Sequence, residues 1–259
     1  MKQQNKHLDL HPNNRSSLII EKQLGITGDY QYKAIRSKNY LQANWHNNKM
    51  FVMKQLLDTY KPETMLDLGT GSGNFELLFA HQLKKIVGVD YNDEALIFLE
   101  SELTKNQIQN VQLVNQNILE IDKLERLGAF DMIILIDVIE HLDSKTSNKL
   151  VLSLKKLLNP HGKVVIITPN YGGIWPAIEK TVDRFTNIPH LEDIQHINKM
   201  NPSALQANFQ AHNFKTINIS TFNTLSFLFP GKFLSSFVCD LELKLSLPFG
   251  SLIMGVFEV

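Results

Sequence analysis

The stretch Met65–Phe75, MLDLGTGSGNF, opens with an apolar run suited to a buried strand and passes through glycines at alternate positions, Gly69, Gly71 and Gly73. It then enters the apolar positions Phe75, Leu77, Leu78 and Phe79, so it reads as strand, glycine turn, helix. Glycine lacks a Cβ, so such a backbone turns tightly and comes within contact distance of a ligand at the carboxyl end of a strand. Turns of this kind serve several nucleotide-like cofactors, and the surrounding residues decide which.

Downstream the chain alternates. Lys85–Val89 is a buried-type strand, and Asn92 caps a helix that turns Ala95, Leu96, Leu99 and Leu103 inward. Val111–Val114, Phe130–Ile136 and Lys163–Thr168 are further strands. An amphipathic helix through Leu150, Val151, Leu154, Leu157 and Leu158 is closed by Asn159, Pro160 and Gly162. Near-continuous apolar strands separated by helices predict a parallel sheet covered on both faces, a doubly wound α/β fold.

The flanks are less regular. Upstream, Trp45, Val52, Met53, Leu56, Leu57 and Tyr60 share one helical face that Pro62 terminates. From Pro169 to Met200 the rhythm breaks into an excursion holding Trp175, a short helix through Ile178, Val182 and Phe185, and His190 and His196. Asn201 and Pro202 open another helix, Thr216–Thr221 alternates as a half-exposed strand, and Leu234, Phe237, Val238, Leu241 and Leu245 form a helical stripe before a last strand at Leu252–Val259.

The 259 residues are enough to bury a real core. The 26 basic and 26 acidic residues cancel, which argues against a strong global pull toward nucleic acid. The single cysteine, Cys239, excludes an intramolecular disulfide and a Cys-rich zinc site and fits a cytoplasmic protein. The polar first twenty residues show no signal peptide, and no apolar run reaches membrane-spanning length.

Asp90, at the end of the second strand, stands beside the glycine turn, where a carboxylate accepts hydrogen bonds from both hydroxyls of a ribose. A dinucleotide turn would place glycine at position 74, where this chain has Asn74, so an NAD-dependent oxidoreductase is the weaker reading.

These residues resemble the class I S-adenosylmethionine-dependent methyltransferases, closest in motif style to the quinone-biosynthesis O-methyltransferases. LDLGTGSG is similar to their first motif, VGVD to their ribose-binding acid, and FDMIILIDVIEHL with LLNPHGKVVIITPN to their fourth and fifth strand motifs. The resemblance implies a Rossmann-like methyltransferase fold, a mostly parallel seven-stranded sheet with an antiparallel last strand. It implies S-adenosylmethionine as cofactor, with Asp67 and the backbone of Gly69 and Gly71 on its methionine half and Asp90 on the ribose. Tyr91 would lie against the adenine, Asn117 and the amide of Ile118 at the adenine edge, and Asp137 beneath the methionyl amine. Asn117 departs from the family's usual aspartate.

The expected division is a helical N-terminal extension over residues 1–61 and the methyltransferase domain over 62–259, with substrate-side insertions at about 169–200 and 222–250. His141, just after the fourth strand, is the candidate base for a hydroxyl acceptor. Glu140 and His141 with His196 resemble a divalent-metal set of quinone-biosynthesis O-methyltransferases and small-RNA ribose methyltransferases, although no metal is assigned on sequence alone. The absence of a basic, aromatic-interleaved stripe favours a small-molecule substrate over the alternative, an RNA ribose 2'-O-methyltransferase. Phe222, Leu225, Phe227, Leu228, Phe229, Phe233 and Phe237 gather near the end, as core, as dimer contact, or as an apolar mouth with peripheral membrane contact.

Overall fold

The computed structural model describes residues 27–120, 124–185 and 195–259. Residues 1–26 of the expected N-terminal extension, and residues 186–194 of the excursion with His190, lie outside them. One sheet is built from β1 (Thr64–Leu68), β2 (Lys85–Asp90), β3 (Val111–Asn115), β4 (Phe130–Ile136), β5 (Leu158–Pro169), β6 (Lys215–Phe222) and β7 (Leu252–Glu258). Its order is β3-β2-β1-β4-β5-β7-β6. The first five strands pair in parallel, and β7 lies antiparallel to both β5 and β6. The seven-stranded sheet with its antiparallel last strand is therefore present.

Alternate residues of each strand serve opposite faces, as the pleat requires. Leu66, Leu68, Ile133, Leu135, Val164 and Ile166 pack under Leu150, Val151 and Leu154 of α5 (Ser144–Leu154) and Leu205 and Phe209 of α7 (Pro202–Ala211). Met65, Ile86, Met132, Ile134, Val165 and Ile167 pack against Val52, Met53, Leu56 and Leu57 of α2 (Tyr40–Tyr60) and Phe75 and Phe79 of α3 (Asn74–Phe79). α1 (Tyr30–Ile35) precedes α2, α4 (Asp93–Lys105) joins β2 to β3, and α6 (Trp175–Phe185) follows β5. Side-chain caps start four of these helices: Asn39 on α2, Asn92 on α4, Asp143 on α5 and Asn201 on α7. Among the described residues no helix is long and apolar enough to cross a membrane.

Two elements differ from the sequence pattern. β5 begins at Leu158, which pairs with Phe130, and the register then jumps so that Met132 pairs with Lys163. The intervening residues bulge rather than close a helix, because Asn159 donates to Asp131 Oδ1 of the neighbouring strand at 2.8 Å and His161 adopts φ 63°. The second difference is α8 (Lys232–Lys244), which buries Ser235, Cys239 and Glu242 while Leu234, Phe237, Leu241 and Leu245 face outward.

Polar partners cause that inversion. Glu242 accepts the backbone N–H groups of Thr224, Leu225 and Ser226 at 2.6–3.1 Å, and also the Ser226 hydroxyl. Asn48 of α2 donates to Asn223, Ser226 and Ser235 at 2.7–3.2 Å. Buried donors and acceptors have to be satisfied, and this network turns the polar side of α8 toward the protein.

Candidate active site

The carboxyl ends of β1, β2 and β4 open onto a cavity of about 830 Å³. The turn after β1 forms its floor. Gly69 and Gly73 have φ of 89° and 73°, and a Cβ there would meet Val138 at 2.5 Å and Leu99 at 2.1 Å, so only glycine lets the turn pack this closely. Gly71 N–H donates to Asp90 Oδ2 at 2.8 Å, and Asn92 N–H donates to Oδ1 at 2.9 Å. Asp90 thus ties the glycine turn to the start of α4, with its carboxylate on the cavity wall.

Gly69, Gly71, Asp90, Tyr91, Asn117, Ile118, Asp137 and His141 all line this cavity. Asn117 Oδ1 accepts from Leu119 N–H at 2.9 Å, so its side chain also shapes its own loop. Asp67 does not line the cavity; its carboxyl faces that of Glu76 from α3, and both groups are buried. Burial, followed by the charge of Glu76, pushes the Asp67 carboxyl well above its ordinary value. Glu76 accepts the Thr70 hydroxyl at 2.6 Å.

At the other end, Asp137 follows β4 with φ 55°, a left-handed conformation that aspartate tolerates. Lys49 of α2, only 1% exposed, reaches across to Asp137 Oδ2 and stacks its ammonium 3.8 Å from the centre of the Trp45 ring. Asp137 Oδ1 is buried with no partner among the described residues. Burial raises the Asp137 carboxyl, but Lys49 chiefly, with His46 and His141, holds it below the usual carboxylate range, so it stays ionised at neutral pH. Burial, then the Lys49 charge, pushes His46 down to about 3, leaving a neutral imidazole on the cavity wall.

The excursion supplies the remaining wall. Trp175 of α6 lies 5.3 Å from Trp45 and 5.7 Å from His196, ring centre to ring centre. Ile174, Ala177, Ile178, Ile197, Phe227 and Leu228 continue an apolar lining beyond them. His141 Nδ1 donates to the Gln195 carbonyl at 2.8 Å, which leaves its Nε2 as a lone pair. Glu140 Oε2 accepts from Thr168 at 2.9 Å, and its Oε1 is buried with no partner among the described residues. One donor atom from each of Glu140, His141 and His196 lies within 4.8 Å of the others. Two imidazoles and an orphaned carboxylate oxygen suit a divalent transition ion, so this donor set fits a metal.

The sequence pattern missed Lys49, Trp45, Glu76 and Glu179. Each sits on a helix where its spacing reads as ordinary amphipathic packing, and only the fold brings it to the cavity or beneath it.

A family model described as "Methyltransferase domain" matches residues 40–219. Over 85 residues, 32% of this chain and 19% of the relative, the chain is 33% identical to the 23S rRNA (uracil(1939)-C(5))-methyltransferase RlmD of Aliivibrio fischeri. The chain spans 19 to 39% of the length of such curated relatives. Among solved structures, magnesium protoporphyrin IX methyltransferase (ChlM) from Synechocystis PCC 6803 with bound SAM matches with a TM-score of 0.62 at 10% identity, over 96% of this chain and 99% of that one. N-methyltransferase NodS from Bradyrhizobium japonicum WM9, in complex with S-adenosyl-L-homocysteine, matches with a TM-score of 0.59 at 13% identity, over 93% and 96%. At these identities the two structures speak for the fold.

Proposed function

The chain belongs to the methyltransferase domain family, and on that premise we propose that it transfers a methyl group from S-adenosylmethionine to a hydroxyl of a partly apolar small molecule. The observation that carries this reading is a single cavity running from Asp90 and Asn117, past Gly71 and Asp137, to His141 and His196. It has room for a nucleoside at one end and an acceptor at the other.

When bound, the cofactor supplies an electrophilic methyl group on a sulfonium sulfur. Asp90 accepts the ribose hydroxyls while its N–H partners hold the glycine turn in place. Tyr91, Asn117 and the amide of Ile118 flank the adenine. Asp137 Oδ1 accepts the methionyl ammonium, and Lys49 keeps that carboxylate charged. His141 Nε2 takes the acceptor's proton as the oxygen–methyl bond forms and the sulfur–methyl bond breaks. Trp45, Trp175 and the apolar wall around Ile178 exclude water and favour an acceptor with an aromatic or aliphatic body.

A second reading of the same chemistry is favoured by the cluster of Glu140, His141 and His196, which could hold a divalent cation. Such an ion would lower the pKa of an acceptor hydroxyl at that end of the cavity, replacing the base role of His141.

Transfer of radiolabelled methyl from S-adenosylmethionine into fractionated cell extract tests the substrate class. Label is expected in the organic-soluble small-molecule fraction and to disappear in His141→Ala. Label confined to RNA would favour the ribose methyltransferase instead.

A further inference from the structure

Glu179 lies on α6 outside the cavity lining, is 1% exposed, and has no part in cofactor or acceptor binding as described above. Its Oε1 accepts the Nδ1–H of His196 at 2.7 Å and the hydroxyl of Tyr171 at 2.6 Å. Burial, then the contact with Glu179, pushes the Tyr171 hydroxyl upward, so Tyr171 remains a donor. With Nδ1 engaged, the lone pair of His196 is on Nε2, the atom left to face Glu140 and His141.

We propose that Glu179, steadied by Tyr171, is a positioning residue that presents Nε2 of His196 to a divalent cation shared with Glu140 and His141. This rests on the cation reading of the cluster. The geometry recurs around all three donors. The Gln195 carbonyl holds Nδ1 of His141, Thr168 holds Oε2 of Glu140, and Glu179 holds Nδ1 of His196. Each group is held through one atom and keeps another that a shared ion could use.

The neighbouring residues Gln195 and His196 therefore both serve the cluster, Gln195 through the carbonyl that holds the His141 ring and His196 through its own imidazole. The N–H groups of Ile197 and Asn198 both bond the Glu140 carbonyl at 3.0 Å, which locks that segment to the turn carrying Glu140 and His141. A carboxylate behind a ligating histidine fixes its tautomer and raises its basicity, and losing such a partner lowers metal affinity by about 10–100-fold.

The test is calorimetric titration of the full chain, stripped with chelator, with Mn²⁺ and separately with Zn²⁺. Wild type should bind one ion per chain, and His196→Ala should bind none. Glu179→Gln, which keeps shape but not charge, should bind about 10–100-fold more weakly. Tyr171→Phe should weaken binding to a smaller degree. Stabilisation by S-adenosylhomocysteine should persist in all three variants, showing that the fold and the methyl-donor site are intact. Equal affinity in wild type, Glu179→Gln and Tyr171→Phe would overturn the positioning role. A wild type that binds neither ion would overturn the cation reading and this inference with it, leaving the methyl-donor reading to stand or fall on the homocysteine response.

Discussion

Asp67 illustrates how one side chain serves the site indirectly. It stands at the end of β1, facing Glu76, and two buried carboxyls in contact do not both ionise. Asp67 therefore keeps its proton in the folded chain, while the same residue ionises near pH 4 when unfolded. A group whose folded pKa is raised favours the folded state fully below the unfolded value, and that contribution falls as pH rises toward the folded value. Asp67→Asn needs no proton and removes this slope. Relative to wild type it is expected to gain stability as pH rises above the unfolded value near 4, by up to about 1.4 kcal/mol per pH unit for as long as the folded chain retains the proton, as read by urea denaturation. An unchanged pH slope would mean that Asp67 is ionised in the fold. Asp90 was legible from sequence because it ends a strand beside the glycine turn. Lys49 was not, because a lysine in the middle of a helix reads as a solvated side chain until the fold sets it against Asp137.

The two faces of α8 divide stability from surface contact. Inward, Glu242 satisfies one buried and two part-buried backbone N–H groups, and removing it leaves all three without that partner. Glu242→Ala is expected to cost about 3 kcal/mol or more, since each orphaned buried group costs roughly 1–3 kcal/mol. Outward, Phe233 is 88% exposed and Phe237 52% exposed, with Leu241 and Leu245 continuing the stripe. Phe233→Ser with Phe237→Ser should shift stability by no more than about 1 kcal/mol. If this face makes the peripheral membrane contact that the sequence offers as one alternative, the same pair should abolish co-sedimentation with phospholipid vesicles, and equal sedimentation of both proteins would contradict it. Periodicity located this helix and its stripe but not which side of the helix faces the protein. The spacing could not reveal that Asn48, nearly two hundred residues away in sequence, supplies the partner that draws the polar side inward. The caps at Asn92 and Asn201 were legible, because a cap bonds within three residues of itself.

For the whole molecule, the sheet was legible because five near-continuous apolar strands alternate with helices, and such strands pair in parallel under two helical layers. The antiparallel place of β7 followed from family resemblance rather than from any property of Leu252–Glu258 itself. The end of the cavity at Asp90 was equally legible, since it is made from strand ends and one turn. The opposite end was placed only coarsely, in the stretches about 169–200 and 222–250, because it is assembled from α1, α2, α6 and the connection between β6 and β7. Its two tryptophans meet only in the folded chain. On the proposed function, the turn after β1 and Asp90 hold the nucleoside of a methyl donor. That role is tested most directly by thermal unfolding with and without S-adenosylhomocysteine, on wild type and on Asp90→Ala, each compared with its own ligand-free form. Wild type at a hundred times the dissociation constant should gain about 2.7 kcal/mol, and Asp90→Ala much less at the same concentration. No gain in wild type would contradict the claim, and an equal gain in Asp90→Ala would remove Asp90 from it.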